Sequence, residues 1–244
     1  MNHVSLIQTG GMGGHLNDMI DPVYKPIGDR GLLVELGNEI SLDINRQVRS
    51  LLFGLEGLSL KGVREILPAY CSVLIVFDPL VLSQATLRAK IRTLMAGIDE
   101  FDLPQPKSIR VPVAYGGNYG PDLESVARYH NLEPEEVIRH HTSTTYHVFM
   151  LGFTPGFPYL GELPGRIVTP RRETPRTHVP RGSVGIAQKQ TGIYPTKSPG
   201  GWQIIGRTPL TLFDPEGSPP TLFDIGDRVT FYPIKAQEIE SWKA

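Results

Sequence analysis

About one-third of residues 151 to 202 are glycine or proline, far above ordinary usage. Proline removes an amide donor, and both residue types disfavour a helix interior. Such a stretch can fold only as short extended pieces joined by turns. The apolar pieces stand at 147–151, 183–187, 203–205, 211–213 and 228–232. Many short strands separated by turn signals predict a closed barrel or a sandwich. No internal repeat interrupts the pattern.

The first half reads differently. Leu32, Leu33 and Val34 form a short strand after the turn Gly28–Gly31. Ser41 suits a helix N-cap, with Asp43 in the first turn. Ile44, Val48, Leu51, Leu52 and Leu55 then recur at helical spacing. Residues 63–67 and 72–77 read as two strands around the turn Pro68-Ala69-Tyr70. Ser83 can cap a second helix with the face Leu87, Ile91, Leu94, Met95 and Ile98. Strand, helix, strand pair, helix is the order of a small α+β unit. Pro104 and Pro106 mark a linker. A strand over 109–115 and two short helices follow, with Pro134 opening the second.

These signals divide the chain into a flexible tail (1–22), a small α+β domain (23–105) and a mainly-β barrel domain (106–244). The chain's 244 residues can bury a core without disulfides or metal. Cys71, the single cysteine, is expected in the core and fits a reducing compartment. A formal charge of −1 argues against nucleic acid. No stretch reaches the ~20 apolar residues of a membrane span, and the N-terminus lacks a signal-peptide pattern. A cytoplasmic protein is expected.

Familiar catalytic signatures fail. Gly192 to Ser198 lacks the glycine before Lys197 that a phosphate loop needs. Arg181-Gly182-Ser183-Val184-Gly185 has glycines at the wrong offsets for a nucleophile elbow. His140 and His141, adjacent on a helix, point ~100° apart and would not chelate one ion; no metal is expected.

Three segments remain. The first runs from Met150 to Leu160 and holds Phe153 and Phe157. The second runs from Thr169 to Ala187 and holds Arg171, Arg172 and Arg176. The third runs from Gln190 to Leu210 and holds Thr191, Tyr194, Gly200, Gly201 and Trp202. Prolines stiffen such loops before binding, glycines admit close backbone approach, and guanidinium forks suit carboxylate or phosphate. The same residues also suit plain packing: Phe153, Phe157 and Trp202 as core aromatics, His141 as a satisfied helix-end histidine.

All three segments resemble the family that comprises the first subunit of allophanate hydrolase, a sporulation-kinase inhibitor and the B component of 5-oxoprolinase. The likeness extends to Gly28-Asp29, Pro68-Ala69-Tyr70-Cys71-Ser72, Val111–Gly117 and Gly120-Pro121-Asp122-Leu123, and covers about residues 23 to 234. The chain departs from the family pattern at Ala114, where cysteine is common, at Arg181, where a small residue is usual, and near Gln188, where glycine is usual.

The resemblance implies an N-terminal α+β domain and a cyclophilin-like barrel. It also implies a component of an enzyme that cleaves 5-oxoproline to glutamate with ATP and Mg, working beside subunits C and A and showing little activity alone. In that frame Arg172 and Arg176 would hold phosphate or carboxylate, with Arg171 and Phe153 beside the substrate. Gln190 and Thr191 would bond the lactam amide, and His141 or Tyr194 would carry a proton. Gly200, Gly201 and Trp202 would shape the wall. Two alternatives follow from the same resemblance: a protein that docks on a sensor histidine kinase, and a carboxyltransferase-like module acting on urea or another amide.

Overall fold

The computed structural model describes residues 21–98 and 101–242. Nearly all of the expected tail lies outside the described residues.

The N-terminal part is a four-stranded antiparallel sheet with two helices on one face. Its strands are β1 (Val23–Ile27), β2 (Gly31–Glu35), β3 (Val63–Pro68) and β4 (Ser72–Phe77), in the order β1-β2-β4-β3. The helices are α1 (Leu42–Leu58) and α2 (Gln84–Ala96). Period-two alternation sends Leu32, Val34, Val73 and Ile75 to the helix-covered face. They meet Val48, Leu51 and Leu55 of α1 and Leu87 and Ile91 of α2 in one core. Each such side chain contributes roughly 1.5–3 kcal/mol on burial, so packing outweighs any single cap.

The two caps differ. Ser83 accepts a hydrogen bond from the amide of Thr86 at 3.1 Å, as its sequence position predicts. Ser41 precedes α1 in extended backbone but makes no side-chain cap bond; its carbonyl alone receives the Asn45 amide at 2.9 Å. Ser83→Ala is therefore expected to cost about 1 kcal/mol in urea unfolding, and Ser41→Ala less than half of that.

The C-terminal part is a closed barrel of seven strands. Its strands are β5 (Ser108–Tyr115), β6 (Thr145–Leu151), β7 (Pro158–Gly161), β9 (Ser183–Ala187), β10 (Gln190–Ile193), β12 (Gln203–Arg207) and β13 (Arg228–Pro233). Around the wall they run β10-β7-β6-β13-β5-β12-β9. Only β5 and β13 are parallel, with Arg228 opposite Ser108 and Pro233 opposite Val113. Two helices, α3 (Leu123–His130) and α4 (Pro134–Thr142), close one side. A two-stranded ribbon of β8 (Arg176–Val179) and β11 (Ser198–Gly200) stands outside the wall.

Several expectations are corrected. Residues 211–213, read as a strand, form only one isolated bridge, Phe213 to Thr221. Gln190 to Ile193, read as a loop, is a barrel strand. Cys71 is half-buried rather than in the core; it sits just ahead of β4, where its carbonyl accepts from the Leu36 amide at 2.8 Å. Gln188, where the family pattern has glycine nearby, adopts φ +52° in the tight β9–β10 turn, a conformation glycine takes with least strain.

Asn45 fastens the two parts together. Buried on α1, it donates to the carbonyl of Phe149 in β6 at 2.8 Å and shares a 3.1 Å hydrogen bond with His147 Nε2. Tyr70, from the β3–β4 turn, makes a second tie by accepting from Gln190 Nε2 at 2.7 Å.

Candidate functional site

Beside that second tie lies a hollow of about 230 Å³. Its floor is aromatic. Phe157 sits at the centre, edge-to-face with Tyr194 at 5.2 Å and with Trp202 at 5.5 Å. Tyr159 packs against both Phe157 and Trp202, and Tyr70 closes on Tyr159 at 5.6 Å. Centroid separations in this range are the favoured ones for edge-to-face rings. The backbone must come close for this packing. A Cβ on Gly200 would lie 2.8 Å from the Tyr194 ring, so no side chain fits there without moving the floor.

The rim is formed by Phe153, Arg171, Pro175 and Gly201. Phe153 is 62% exposed and holds φ +67°, a costly conformation for a bulky residue and the kind that collects at ligand sites. Its ring lies edge-on to Phe157 at 5.8 Å. Arg171 is exposed, and its charge draws down the phenol pKa values of Tyr70, Tyr159 and Tyr194 against a larger upward push from burial. Among the described residues it forms no ion pair. An unpaired guanidinium over an aromatic floor suits a small, flat anion.

The other expected residues are sorted away from this mouth. Arg172 and Arg176, expected to hold an anionic ligand, instead hold Asp122. Arg176 binds it twice, at 2.7 Å from each terminal nitrogen, and Arg172 Nη1 reaches Oδ1 at 2.9 Å. Asp122 is buried and also accepts from the Ile204 amide at 2.6 Å. The guanidiniums face inward because that carboxylate cannot stay buried uncompensated.

His141 and Thr191, expected at the substrate, lie in the barrel interior at 0% exposure. Thr191 Oγ1 donates to the Gly185 carbonyl at 3.0 Å, so it accepts from His141 Nε2 at 2.9 Å. The remaining nitrogen, Nδ1, then accepts from Tyr115 Oη at 2.7 Å. This run of bonds assigns the Nε2–H tautomer. Burial holds the imidazole pKa down to about 3. The expected proton shuttle is therefore a neutral structural residue. Tyr194 is a floor residue; burial raises its pKa, and it stays a protonated phenol. Gln190 faces Tyr70 at the tie between the two parts. Gly200, Gly201 and Trp202 do border the hollow.

Sequence reasoning missed Tyr70, Tyr159 and Asp122. Tyr70 and Asp122 stand in segments that the family resemblance flagged, but nothing local tells where they point. A larger hollow of about 700 Å³, beside Tyr24, Arg88 and Arg92, holds none of the expected residues. Gly192 to Ser198 runs from a barrel strand into a tight turn and the ribbon, not from a strand through a loop into a helix, so it does not build a phosphate cradle. No helix among the described residues is long and apolar enough to cross a membrane.

The carboxyltransferase domain family, subdomain C and D, matches residues 22–223. The chain is 40% identical over 227 residues to the B component of 5-oxoprolinase from Bacillus subtilis, covering 89% of this chain and 95% of that one. Among solved structures, TTHA0988 superposes with a TM-score of 0.75 at 35% identity, over 85% of this chain. This chain spans only 40% of TTHA0988. The urea amidolyase of K. lactis superposes with a TM-score of 0.71 at 26% identity, over 90% of this chain and 15% of that one.

Proposed function

This chain belongs to the carboxyltransferase domain family, subdomain C and D, and from that premise we propose that it is the B component of an ATP-dependent 5-oxoprolinase. The observation that carries the reading is the likeness to the Bacillus subtilis B component along 95% of that relative's length. A partial match would indicate a shared module; this one spans the relative almost end to end. The hollow supports it. 5-Oxoproline is a small, flat ring bearing one carboxylate. Arg171 takes that carboxylate, and the Phe157, Tyr159 and Trp202 floor takes the ring.

Arg172 and Arg176 do not clamp substrate directly in this reading; they set the local positive field. The nucleotide supplies activation of a lactam carbonyl that is otherwise a poor electrophile. The Gly192–Ser198 turn does not fit a triphosphate, so we assign ATP and its Mg to the partner. The partners are the C and A subunits, in the cytoplasm, and the chain alone is half of a site. The division at about residue 105 and a cyclophilin-like barrel belong to the same reading.

The test is direct. Mixed with its C and A subunits and Mg-ATP, the chain should release glutamate, ADP and phosphate when 5-oxoproline is added, and purified alone with Mg-ATP it should release almost none. Brisk cleavage by the isolated chain, or silence from the assembled mixture, overturns the proposal. A urea-directed carboxyltransferase role is the second reading, favoured by the K. lactis urea amidolyase superposition. Turnover of urea in place of 5-oxoproline by the same mixture would establish it.

A further inference from the structure

We propose that Asp122 is the positioning residue of the hollow, acting through Arg171. The inference rests on the reading of the hollow as an anionic substrate's site. Arg171 itself has no ion partner among the described residues, so something else must fix where it stands. Its neighbours do so. Arg172, one residue along, and Arg176, at the far end of the same loop, both terminate on the Asp122 carboxylate. The loop backbone is tied at Arg172, whose amide donates to the Gly201 carbonyl at 2.8 Å. It is tied again at Pro170, whose carbonyl accepts from Gln203 Nε2 at 3.1 Å. Asp122 meanwhile holds the Ile204 amide at 2.6 Å. One carboxylate thus joins the rim loop, the strand after Trp202 and the start of α3.

The charge count gives this carboxylate a second effect. It faces two guanidiniums, and with Glu173 counted on the same loop three arginines still stand against two carboxylates, so the rim keeps a positive surplus. Arg172 Nε is enclosed with no acceptor among the described residues, a further donor on the same cationic loop. Neutralising Asp122 removes the anchor for both arginines at once. They then compete for other acceptors, and the loop between them loses its register over the floor.

A double-mutant cycle in the assembled enzyme tests this. Asp122→Asn should raise KM for 5-oxoproline about tenfold while kcat changes less than about threefold. On an Arg171→Ala background the same substitution should raise KM by less than about threefold, because the residue it positions is gone. Effects that multiply in full, or an unchanged KM in Asp122→Asn, overturn the inference. If Asp122→Asn does not fold, Arg172→Gln cuts one arm of the clamp and must show the same non-multiplicative pattern with Arg171→Ala. If Arg171→Ala alone leaves KM unchanged, the substrate reading of the hollow falls. The positioning claim is then decided by amide exchange: the Arg172 amide must lose protection when the clamp is cut, and unchanged protection overturns it.

Discussion

Replacing His141 by alanine is expected to destabilise the fold by about 3–5 kcal/mol, with no signature in the pH–rate profile of whatever protein still folds. The ring is fully buried and stacks on Phe231 at 4.4 Å. Removing it leaves a cavity and strips the Tyr115 hydroxyl of its partner, while Thr191 keeps its bond to the Gly185 carbonyl. An unpaired buried hydroxyl costs about 1–3 kcal/mol beyond the cavity itself. Urea unfolding at about pH 7.5, above the window in which histidine titrates, measures the loss; a midpoint within error of the parent would show that the network carries nothing.

The pH dependence has a definite sign. The folded imidazole has its pKa held down to about 3, against an unfolded value near 6.5. Between those values the unfolded chain binds the proton and the folded chain does not. The stability is therefore fully present above about pH 6.5 and falls by up to ~1.4 kcal/mol per pH unit as the solution is acidified toward about pH 3. His147, held down to about 4 by burial and by Arg49 and Arg228, contributes with the same sign over a narrower window. His141→Gln should flatten the curve between about pH 4 and 6.5 relative to the parent. An equally steep curve in that variant would place the acid sensitivity elsewhere.

The second large effect concerns turnover. Arg171→Ala should raise KM for 5-oxoproline about 10- to 100-fold in the assembled enzyme, the loss of one charge-assisted contact of ~1.5–3 kcal/mol. Arg171→Lys should recover only part of it, since an ammonium cannot meet a carboxylate with two parallel donors. Fold stability should barely change, because the side chain is exposed and forms no ion pair among the described residues. The two substitutions thus separate cleanly: one acts on unfolding, the other on KM. An unchanged KM in Arg171→Ala, whatever happens to kcat, would remove this arginine and the hollow from substrate binding.

Much of the frame was legible in the sequence because local rules settle it. The run Ile44, Val48, Leu51, Leu55 has only one helical solution, and Ser83 caps where its position says it should. Edge and turn-rich strands were not legible. β1 carries Pro26, which reads as a break in a central strand but is tolerated at an edge. β7 and β10 read as loops because Pro158 and Gly192 look like punctuation. Yet Gly192 is there for contact: a Cβ would lie 2.8 Å from the Phe157 ring. Both strands are specified by neighbours in the closed wall, not by their own pattern.

The site divided along the same line. Of the expected residues, Phe153, Arg171, Gly200, Gly201 and Trp202 line one hollow. Orientation did not follow from type. Three arginines within six residues look equivalent on paper. Two are claimed by a carboxylate 50 and 54 positions away, and a pairing at that separation has no local signature. His141, expected either as a proton carrier or as a satisfied helix-end histidine, is hydrogen-bonded at both ring nitrogens, and the choice was open for a related reason. A histidine at a helix end is a proton carrier or a core residue according to what covers it, and Thr191 and Tyr115 cover it from strands on other sides of the barrel.

The parallel pairing of β5 with β13 also dictates when this molecule can exist during synthesis. A nascent chain halted anywhere before Arg228 lacks the strand that stands between β5 and β6, so both keep open edges and no ring forms. The ribosome must deliver every residue through Pro233 before closure, which then arrives as a single event. A premature stop therefore yields sticky fragments instead of a smaller working vessel.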